Sequence, residues 1–301
     1  MEIDLMELKS QARASMAQTD PGFRTVTLVY ILMTTGVAFL LSMIPFPVDR
    51  NTGMSFASLF VTILYNLYAA VVGFGFTLWG LWTVRRLNPG MSSLTQGFSV
   101  SGRVIWMKLM IFLRLMCFFM VLTFGLSFLM VLAMPVMLAQ APLLSLGLVY
   151  GILFAALWGF SLRYALAPYL LADHPDDGPV APIRRSVVLM QGWKWELFRL
   201  ELSFLGWHLL ILALRLLVWG LALWQFGVLD MGAPATVEEV SRLAVYCASA
   251  IQHPLTVLAS TVVTLPVLLW LMPYLETTRA GFYDARLQVP QYPERPMMPP
   301  V

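Results

Sequence analysis

Charged residues are scarce in this 301-residue chain, and cysteine and histidine are nearly absent. Asp, Glu, Lys and Arg together make up 12 % of the residues, beside two cysteines and three histidines. Soluble domains contain about 25 % charged residues, so this composition excludes a fold that presents its whole surface to water. Cys117 lies within an apolar segment and Cys247 in a connection. The two cysteines therefore predict neither a disulfide framework nor a CxxC metal site.

Motifs that carry chemistry are missing as well. The chain has no P-loop, HExxH or GxSxG sequence and no cluster of histidines. Asp173, Asp176 and Asp177 surround His174, and acidic residues in such a Pro- and Gly-bounded loop are more typical of a helix-capping turn than of a metal site. No segment combines dense Lys and Arg with interleaved aromatic residues. We therefore expect no enzyme, no metal or other cofactor, and no nucleic-acid partner.

Long apolar segments dominate what is present. Hydrophobic residues make up 59 % of the chain, and about 20 consecutive apolar residues are enough to cross a bilayer. The pattern predicts an all-α, polytopic membrane protein built as a bundle of six transmembrane helices. The six segments are residues 25–44, 56–84, 109–134, 143–167, 200–224 and 255–275.

The basic residues fall mainly in alternate gaps between these segments. Short loops rich in Lys and Arg stay on the cytoplasmic side of a membrane, so we expect both termini in the cytoplasm, with membrane lipids as partners. Fourteen of the nineteen Lys and Arg residues share the expected cytoplasmic side: Lys9, Arg13, Arg24, Arg85, Arg86, Arg103, Lys108, Arg184, Arg185, Lys194, Arg199, Arg279, Arg286 and Arg295.

The chain divides into a leader, a membrane domain and a tail. Residues 1–22 contain an amphipathic pattern over 3–16, which predicts a helix in the membrane interface, or alternatively a solvated and partly helical leader. Residues 23–287 form the six-span domain. Its cytoplasmic loop 172–197 should hold a helix near 182–191 that ends at Gly192, and its external loop 229–253 a helix that starts at the capping box of Thr236 and Glu239. The Pro-rich residues 288–301 are expected to be disordered.

Small residues recur every four positions in the fourth span. Such a row lets another helix backbone approach closely. It indicates either an interface with a second copy or another membrane protein, or ordinary packing inside one bundle. The residues are Gly147, Gly151, Ala155 and Gly159.

Polar residues within the spans are the candidate site. Glu201, His208 and Arg215 of the fifth span are seven residues apart, nearly two helical turns, which places them on one narrow stripe about 21 Å long. That stripe is consistent with a proton or anion path. The alternative is that Glu201 and Arg215 lie near opposite interfaces, with His208 as a satisfied interior donor.

Two further arginines, Arg114 and Arg163, lie in the third and fourth spans. Glu201 is the one carboxylate within the predicted spans, and we expect it to pair with Arg163. Arg114 and Arg215 are left without an obvious anion. They either extend to the interfaces or hold an anionic headgroup or substrate.

Three stretches resemble a known family. The chain reads RYALAPYLLADHPDD over 163–177, SVVLMQGWKWELFRLELSFLGWHLL over 186–210 and PYLETTRAGFYDARL over 273–287. These stretches resemble the bacterial integral-membrane family catalogued as domain of unknown function 975, although residues 222–252 and the Pro-rich tail look longer than is usual there. The resemblance implies a bacterial inner-membrane protein and brings no established activity. Its polar residues Arg163, Asp173, Lys194 and Glu201 fall at one membrane depth, where we expect a shared network.

The sequence thus favours a non-catalytic membrane component that binds or moves a small anionic or lipidic ligand. An accessory or scaffold subunit that associates through the small-residue face of the fourth span is the alternative. A membrane enzyme acting on lipid is a third hypothesis, and no visible nucleophile–base arrangement supports it.

Overall fold

Every regular element of the described chain is helical. The computed structural model describes residues 4–44, 55–137, 142–228 and 237–288. A π-helical turn, Leu32–Gly36, interrupts the first span, and 3-10 turns at Gly97–Val100 and Leu162–Tyr164 lead into α6 and α8. The α-helices are α1 (Leu5–Ala17), α2 (Phe23–Ile31), α3 (Val37–Ser42), α4 (Phe56–Val84), α5 (Ser92–Gln96), α6 (Ser101–Met137), α7 (Pro142–Ser161), α8 (Ala167–Asp173), α9 (Ala181–Leu189), α10 (Lys194–Leu202), α11 (Leu205–Gln225), α12 (Val237–Gln252) and α13 (Pro254–Gln288).

Six helical segments in the described residues are long and apolar enough to cross a membrane, which confirms the predicted number of spans. Most of their surface is apolar and exposed, as it must be when lipid rather than water surrounds a bundle. Phe124 on α6 is 82 % exposed and Leu217 on α11 is 60 % exposed. The six segments are Phe23–Ser42, Phe56–Val84, Ser92–Phe128, Val149–Asp173, Leu205–Gln225 and Pro254–Gln288.

The fifth span is not the single helix that the polar stripe requires. Helix α10 ends at Leu202, and α11 begins at Leu205. The Ser203 hydroxyl donates to the carbonyl of Leu200, and the backbone N–H of Phe204 donates to the carbonyl of Glu201 at 3.0 Å. A serine that satisfies a nearby carbonyl in this way competes with continued helix. Glu201 therefore belongs to a different helix from His208 and Arg215.

The last span is longer than predicted. Helix α13 starts at Pro254, as expected, but it continues through residue 275 without interruption to Gln288. Hydropathy falls after Leu275 because Glu276 and Arg279 follow. The helix persists because its polar side chains find partners on other helices, as described below.

Helix α1 packs against the C-terminal half of α13. Leu8, Ala12 and Met16 form its buried face, and a Cβ added at Gly281 would lie 3.6 Å from Leu8 Cγ. The amphipathic pattern of the leader is thus matched by a protein surface, whereas a position in the membrane interface remains a prediction. The first and last described helices meet at one end of the bundle, called the terminal end below.

The connecting segments agree with the turn signals. Helix α9 occupies most of the predicted 182–191 helix, and Gly192 follows with a φ of +77°, a conformation that glycine adopts without strain. Helix α12 spans most of the expected external helix, while its capping residue Thr236 and the tail beyond Gln288 lie outside the described residues.

Glycine permits one very close backbone approach. A Cβ at Gly75 of α4 would lie 2.3 Å from the carbonyl oxygen of Leu94, and one at Gly97 would lie 2.5 Å from the carbonyl oxygen of Val71. The short α5 segment and the turn after it therefore lie directly on the backbone of α4. This contact fixes the start of α6, which carries Lys108.

Candidate functional site

A polar cavity of about 660 Å³ lies within the bundle toward its terminal end. Its walls come from α4, α6, the α7–α8 segment, α10 and α13. The volume falls in the range of small-molecule sites. The polar side chains that line this terminal-end cavity include Asn66, Thr77, Lys108, Ser161, Tyr169, Glu201, Glu276 and Arg279.

An ion pair joins α10 to α13 across one wall. The Arg279 Nη2 lies 2.7 Å from Glu201 Oε1, and the indole N–H of Trp158 donates to Glu201 Oε2 at 3.3 Å. The Glu201 side chain is 16 % exposed. A charge pair that is half enclosed by apolar helices is screened less than a surface pair, so it helps to hold α10 against α13.

A second carboxylate, Glu276, lies one helical turn before Arg279 on the same wall. It accepts a hydrogen bond from the hydroxyl of buried Tyr169 at 2.8 Å. Its stem passes close to α4 at Gly80, where an added Cβ would lie 2.8 Å from Glu276 Cγ. The glycine therefore leaves the space through which this carboxylate reaches the cavity.

Lys108 is the cation of this cavity without a direct partner. Among the described residues its side-chain ammonium makes no hydrogen bond and no ion pair. Lys108 lines the terminal-end cavity, and the exposed part of its side chain is closely surrounded by other protein atoms. It lies within electrostatic range of Glu276 and Arg279. An ammonium placed in this way can bind an anion that enters the cavity, because it need not first give up a protein carboxylate.

A second charged cluster lies at the terminal end itself. Arg85, which follows α4, donates to both carboxylate oxygens of Asp173 at 2.5 and 2.8 Å and to Asp284 at 2.7 Å. The Tyr283 hydroxyl donates to Asp173 Oδ2 at 2.7 Å. The hydrogen bond to Asp173 is the main reason why the pKa of Arg85 is raised above its usual value, and Asp284 adds to it. This Arg85 cluster joins α4, α8 and α13.

The structure places the predicted network residues in separate environments. Asp173 belongs to the Arg85 cluster and Glu201 to the terminal-end cavity, while Lys194 is the first residue of α10 and contacts neither. Arg114 lies on α6 with its guanidinium carbon 6.0 Å from the ring centre of Tyr164. The expected single network of Arg163, Asp173, Lys194 and Glu201 does not form.

Arg163 does not pair with Glu201 as expected. Its guanidinium carbon lies 4.8 Å from the ring centre of Phe160, and its carbonyl accepts a hydrogen bond from Ser186 at 2.8 Å. Arg163 lies in the 3-10 turn that precedes α8, which alters the direction of its side chain relative to α7. Arg279 of α13, rather than Arg163, pairs with Glu201.

His208 and Arg215 share α11 but not the terminal-end cavity. His208 is exposed on the bundle surface, and its imidazole makes no hydrogen bond among the described residues. Arg215 lines a different cavity toward the opposite end of the bundle. The helix interruption between α10 and α11 separates Glu201 from the other two, and of these two only Arg215 lines the second cavity.

The small residues of the fourth span are exposed and have no close packing partner among the described residues. No atom within the described residues lies within 4 Å of a Cβ added at Gly147, Gly151 or Gly159, and Ala155 is exposed. Packing inside the bundle therefore does not account for these glycines. The face they form on α7 is free to meet lipid or another protein.

Sequence reasoning missed Lys108, Glu276 and Arg279 as residues of a site. A signal was present on α13, where Glu276, Arg279, Tyr283 and Arg286 have helical spacing and share one face. Ending the last span at residue 275 hid this pattern. Lys108 was assigned to a basic loop, and nothing in the sequence shows that α6 already begins at Ser101.

The chain belongs to the DUF975 family. Residues 1–288 match the family described as "Protein of unknown function (DUF975)", which confirms the resemblance in the 163–177, 186–210 and 273–287 stretches. No curated protein and no solved structure gives a significant match. The family establishes kinship over nearly the whole membrane domain but brings no activity with it.

Proposed function

We propose that this protein is a non-catalytic membrane component that binds or moves a small anionic or lipidic ligand through the terminal-end cavity. The observation that carries the proposal is Lys108, a cation in a polar cavity of about 660 Å³ without a direct protein partner in the described chain. Ionisable residues inside membrane bundles are costly and usually mark a ligand or ion pathway.

The cavity lining carries two cations, Lys108 and Arg279, and two carboxylates, Glu201 and Glu276, and the support for an anion is that the Lys108 side chain has no direct partner in the described chain. Arg279 is occupied by Glu201, and Glu276 is held by Tyr169. A carboxylate, phosphate or lipid headgroup would complete the set by meeting Lys108, while the apolar parts of the wall (Phe74, Ile111 and Leu166 among them) would contact an acyl chain or other carbon skeleton.

We further propose that the terminal end faces the cytoplasm of a bacterial plasma membrane. The support is the uneven distribution of Lys and Arg, because basic short loops resist translocation. The Arg85 cluster and α9, with Arg184 and Arg185, then lie at the level of anionic headgroups on that side.

Binding by the full-length protein tests the proposal. Phosphatidylglycerol binding is followed by native mass spectrometry and inorganic phosphate binding by calorimetry, for the wild type, Lys108→Met and Arg242→Gln. Arg242 is an exposed residue of α12 paired with Glu238, so its variant is the matched loss of one positive charge. We expect Lys108→Met to weaken binding of at least one probe about tenfold and Arg242→Gln to leave it unchanged. Equal binding by a folded Lys108→Met protein contradicts the proposal.

An accessory or scaffold role is a second candidate, supported by the open small-residue face of α7. Helices in lipid associate by close packing of such faces, and none of the described helices covers this one. The partner would be a second copy or another membrane protein.

A further inference from the structure

A second cavity, of about 680 Å³, lies toward the end of the bundle opposite the terminal end. The end of the first span, the start of α4, the middle of α11, the end of α12 and the start of α13 form its walls. We call it the far-end cavity. Its polar side chains are Thr35, Ser42, Ser58, Thr62, Tyr65, Arg215, Trp219, Gln252, Ser260 and Thr261.

Arg215 is the charged residue of this lining, and no carboxylate among the described lining residues balances it. Its side chain is exposed and makes no hydrogen bond or ion pair within the described chain. Arg215 is the middle residue of α11, about 15 Å from either end of that helix. A guanidinium at such a depth is costly unless water or an anion solvates it.

The neighbouring groups are suited to an anion. The hydroxyls of Thr62, Ser260 and Thr261 already donate to backbone carbonyls of their own helices at 2.8 to 2.9 Å. Trp219, one turn beyond Arg215 on α11, and Gln252 from α12 add N–H donors to the five of the guanidinium. Because those hydroxyl hydrogens are already donated, the donors left for an anion in this wall include the side chains of Arg215, Trp219 and Gln252.

A distortion of the first span borders the same cavity. The π-helical turn Leu32–Gly36 contains Thr35, which lines the cavity, and Thr34, whose carbonyl accepts from the Tyr65 hydroxyl at 3.3 Å. π-Helical turns are energetically unfavourable and recur at functional sites. Here the turn shapes the wall opposite α11.

The far-end cavity adjoins the terminal-end cavity along α4. Thr62 lines the first and Asn66, one helical turn later, lines the second. The Asn66 side-chain amide donates to the Thr62 carbonyl at 2.7 Å. One helical turn of α4 therefore separates two polar spaces that together extend along much of this helix.

We propose that the far-end cavity is a separate binding site for one oxyanion group, a phosphate or a carboxylate, held by the Arg215 guanidinium with Trp219 and Gln252 as further donors. The oxyanion belongs either to a lipid headgroup or to a free solute. This site does not depend on Lys108. The proposal can therefore fail without contradicting the function proposed for the terminal-end cavity, and the reverse also holds.

The test uses the full-length protein in phosphatidylcholine nanodiscs. One arm adds phosphatidylglycerol and counts bound lipid by native mass spectrometry. The other titrates inorganic phosphate and measures its dissociation constant. Each arm compares the wild type with Arg215→Gln, Arg215→Lys, Lys108→Met and the matched surface variant Arg242→Gln.

We expect Arg215→Gln to weaken binding about tenfold or more in at least one arm. Arg215→Lys should give an intermediate loss, because lysine keeps the charge without the planar set of donors. Arg242→Gln should match the wild type, and Lys108→Met should retain the binding component that Arg215→Gln removes. An effect confined to the lipid arm identifies a headgroup, and one confined to the phosphate arm identifies a soluble anion.

Two results would contradict the proposed site. One is unchanged binding of both probes by folded Arg215→Gln protein, and the other is no binding of either probe by the wild type at millimolar concentration. If Arg215→Gln does not fold, Trp219→Phe removes one donor while keeping the aromatic ring. That variant must then weaken binding of a probe that the wild type binds, or the proposal is wrong.

Discussion

The guanidinium of Arg85 donates two hydrogen bonds, of 2.5 and 2.8 Å, to the carboxylate of Asp173, although the two residues are 88 positions apart in the chain. The same guanidinium also reaches Asp284 at 2.7 Å. One cation therefore bridges two carboxylates, which come from α8 and α13. Without it, those carboxylates would face each other with no cation between them.

Replacing Arg85 should therefore cost more than replacing either acid. We expect Arg85→Met to lower the free energy of unfolding by about 2–3 kcal/mol, which is roughly 4–10 °C in melting temperature. Asp284→Asn should have a smaller effect, because it leaves the Arg85–Asp173 pair intact. Melting in detergent ranks the variants, and a larger loss for Asp284→Asn would contradict this account.

The backbone contact at Gly75 predicts a sharp difference between two glycines. Gly75→Ala places a methyl group 2.3 Å from the Leu94 carbonyl oxygen and should cost about 1–3 kcal/mol or more, as overpacking does. Gly102→Ala on α6 meets no atom within 4 Å and should keep or raise stability through helix propensity. Equal melting temperatures for the two variants would show that the α4–α5 approach is not this close.

Arg286 should be irreplaceable by lysine. It is 4 % exposed, donates to the Leu189 carbonyl at 2.9 and 3.3 Å, and lies 4.3 Å from the Trp193 ring centre. Lysine cannot reproduce the two converging donors, so Arg286→Lys should destabilise the protein by about 1.5–3 kcal/mol. Arg184→Lys, at an exposed position of α9, is the control. Its melting temperature should equal that of the wild type.

The open face of α7 predicts an effect on association without an effect on folding. Leucine at Gly151 meets no protein atom within 4 Å of its Cβ, so Gly151→Leu should keep the wild-type melting temperature. If α7 mediates self-association, cross-linking of membranes should show less dimer than in the wild type. A folded variant with unchanged cross-linking would remove the dimer form of the scaffold hypothesis.

Membrane orientation can be tested without any ligand. A fluorescent protein fused after Val301 should fluoresce, and an alkaline phosphatase fused there should be inactive, if the terminal end faces the cytoplasm. With Cys117 and Cys247 replaced by serine, an Arg184→Cys variant should also resist an impermeant thiol reagent in intact cells. Labelling of that cysteine from outside would reverse the orientation.

The hydropathy of the sequence was sufficient to predict the six spans, but not to predict where a helix is interrupted within a span. Span number depends on the length of apolar segments, which the sequence displays directly. The separation of α10 from α11 depends on Ser203 and on local hydrogen bonds that an apolar count does not register. The predicted stripe of Glu201, His208 and Arg215 failed for this reason.

Partners of the polar residues were harder to predict than their positions. Arg163 is the nearest arginine to Glu201 on the preceding span, yet Arg279 binds it. The choice depends on how α13 lies against α10, which is a long-range packing outcome rather than a matter of spacing. The sequence could have shown that residues 276, 279, 283 and 286 share a helical face, but not which helix that face meets.

The contact between α1 and α13 bears on how the protein is made. Leu8, Ala12 and Met16 are translated before the surface that covers them, which includes Gly281 in the last span. A nascent or truncated polypeptide lacking α13 therefore leaves that apolar row uncovered. Docking of α1 therefore requires that α13 is already in place.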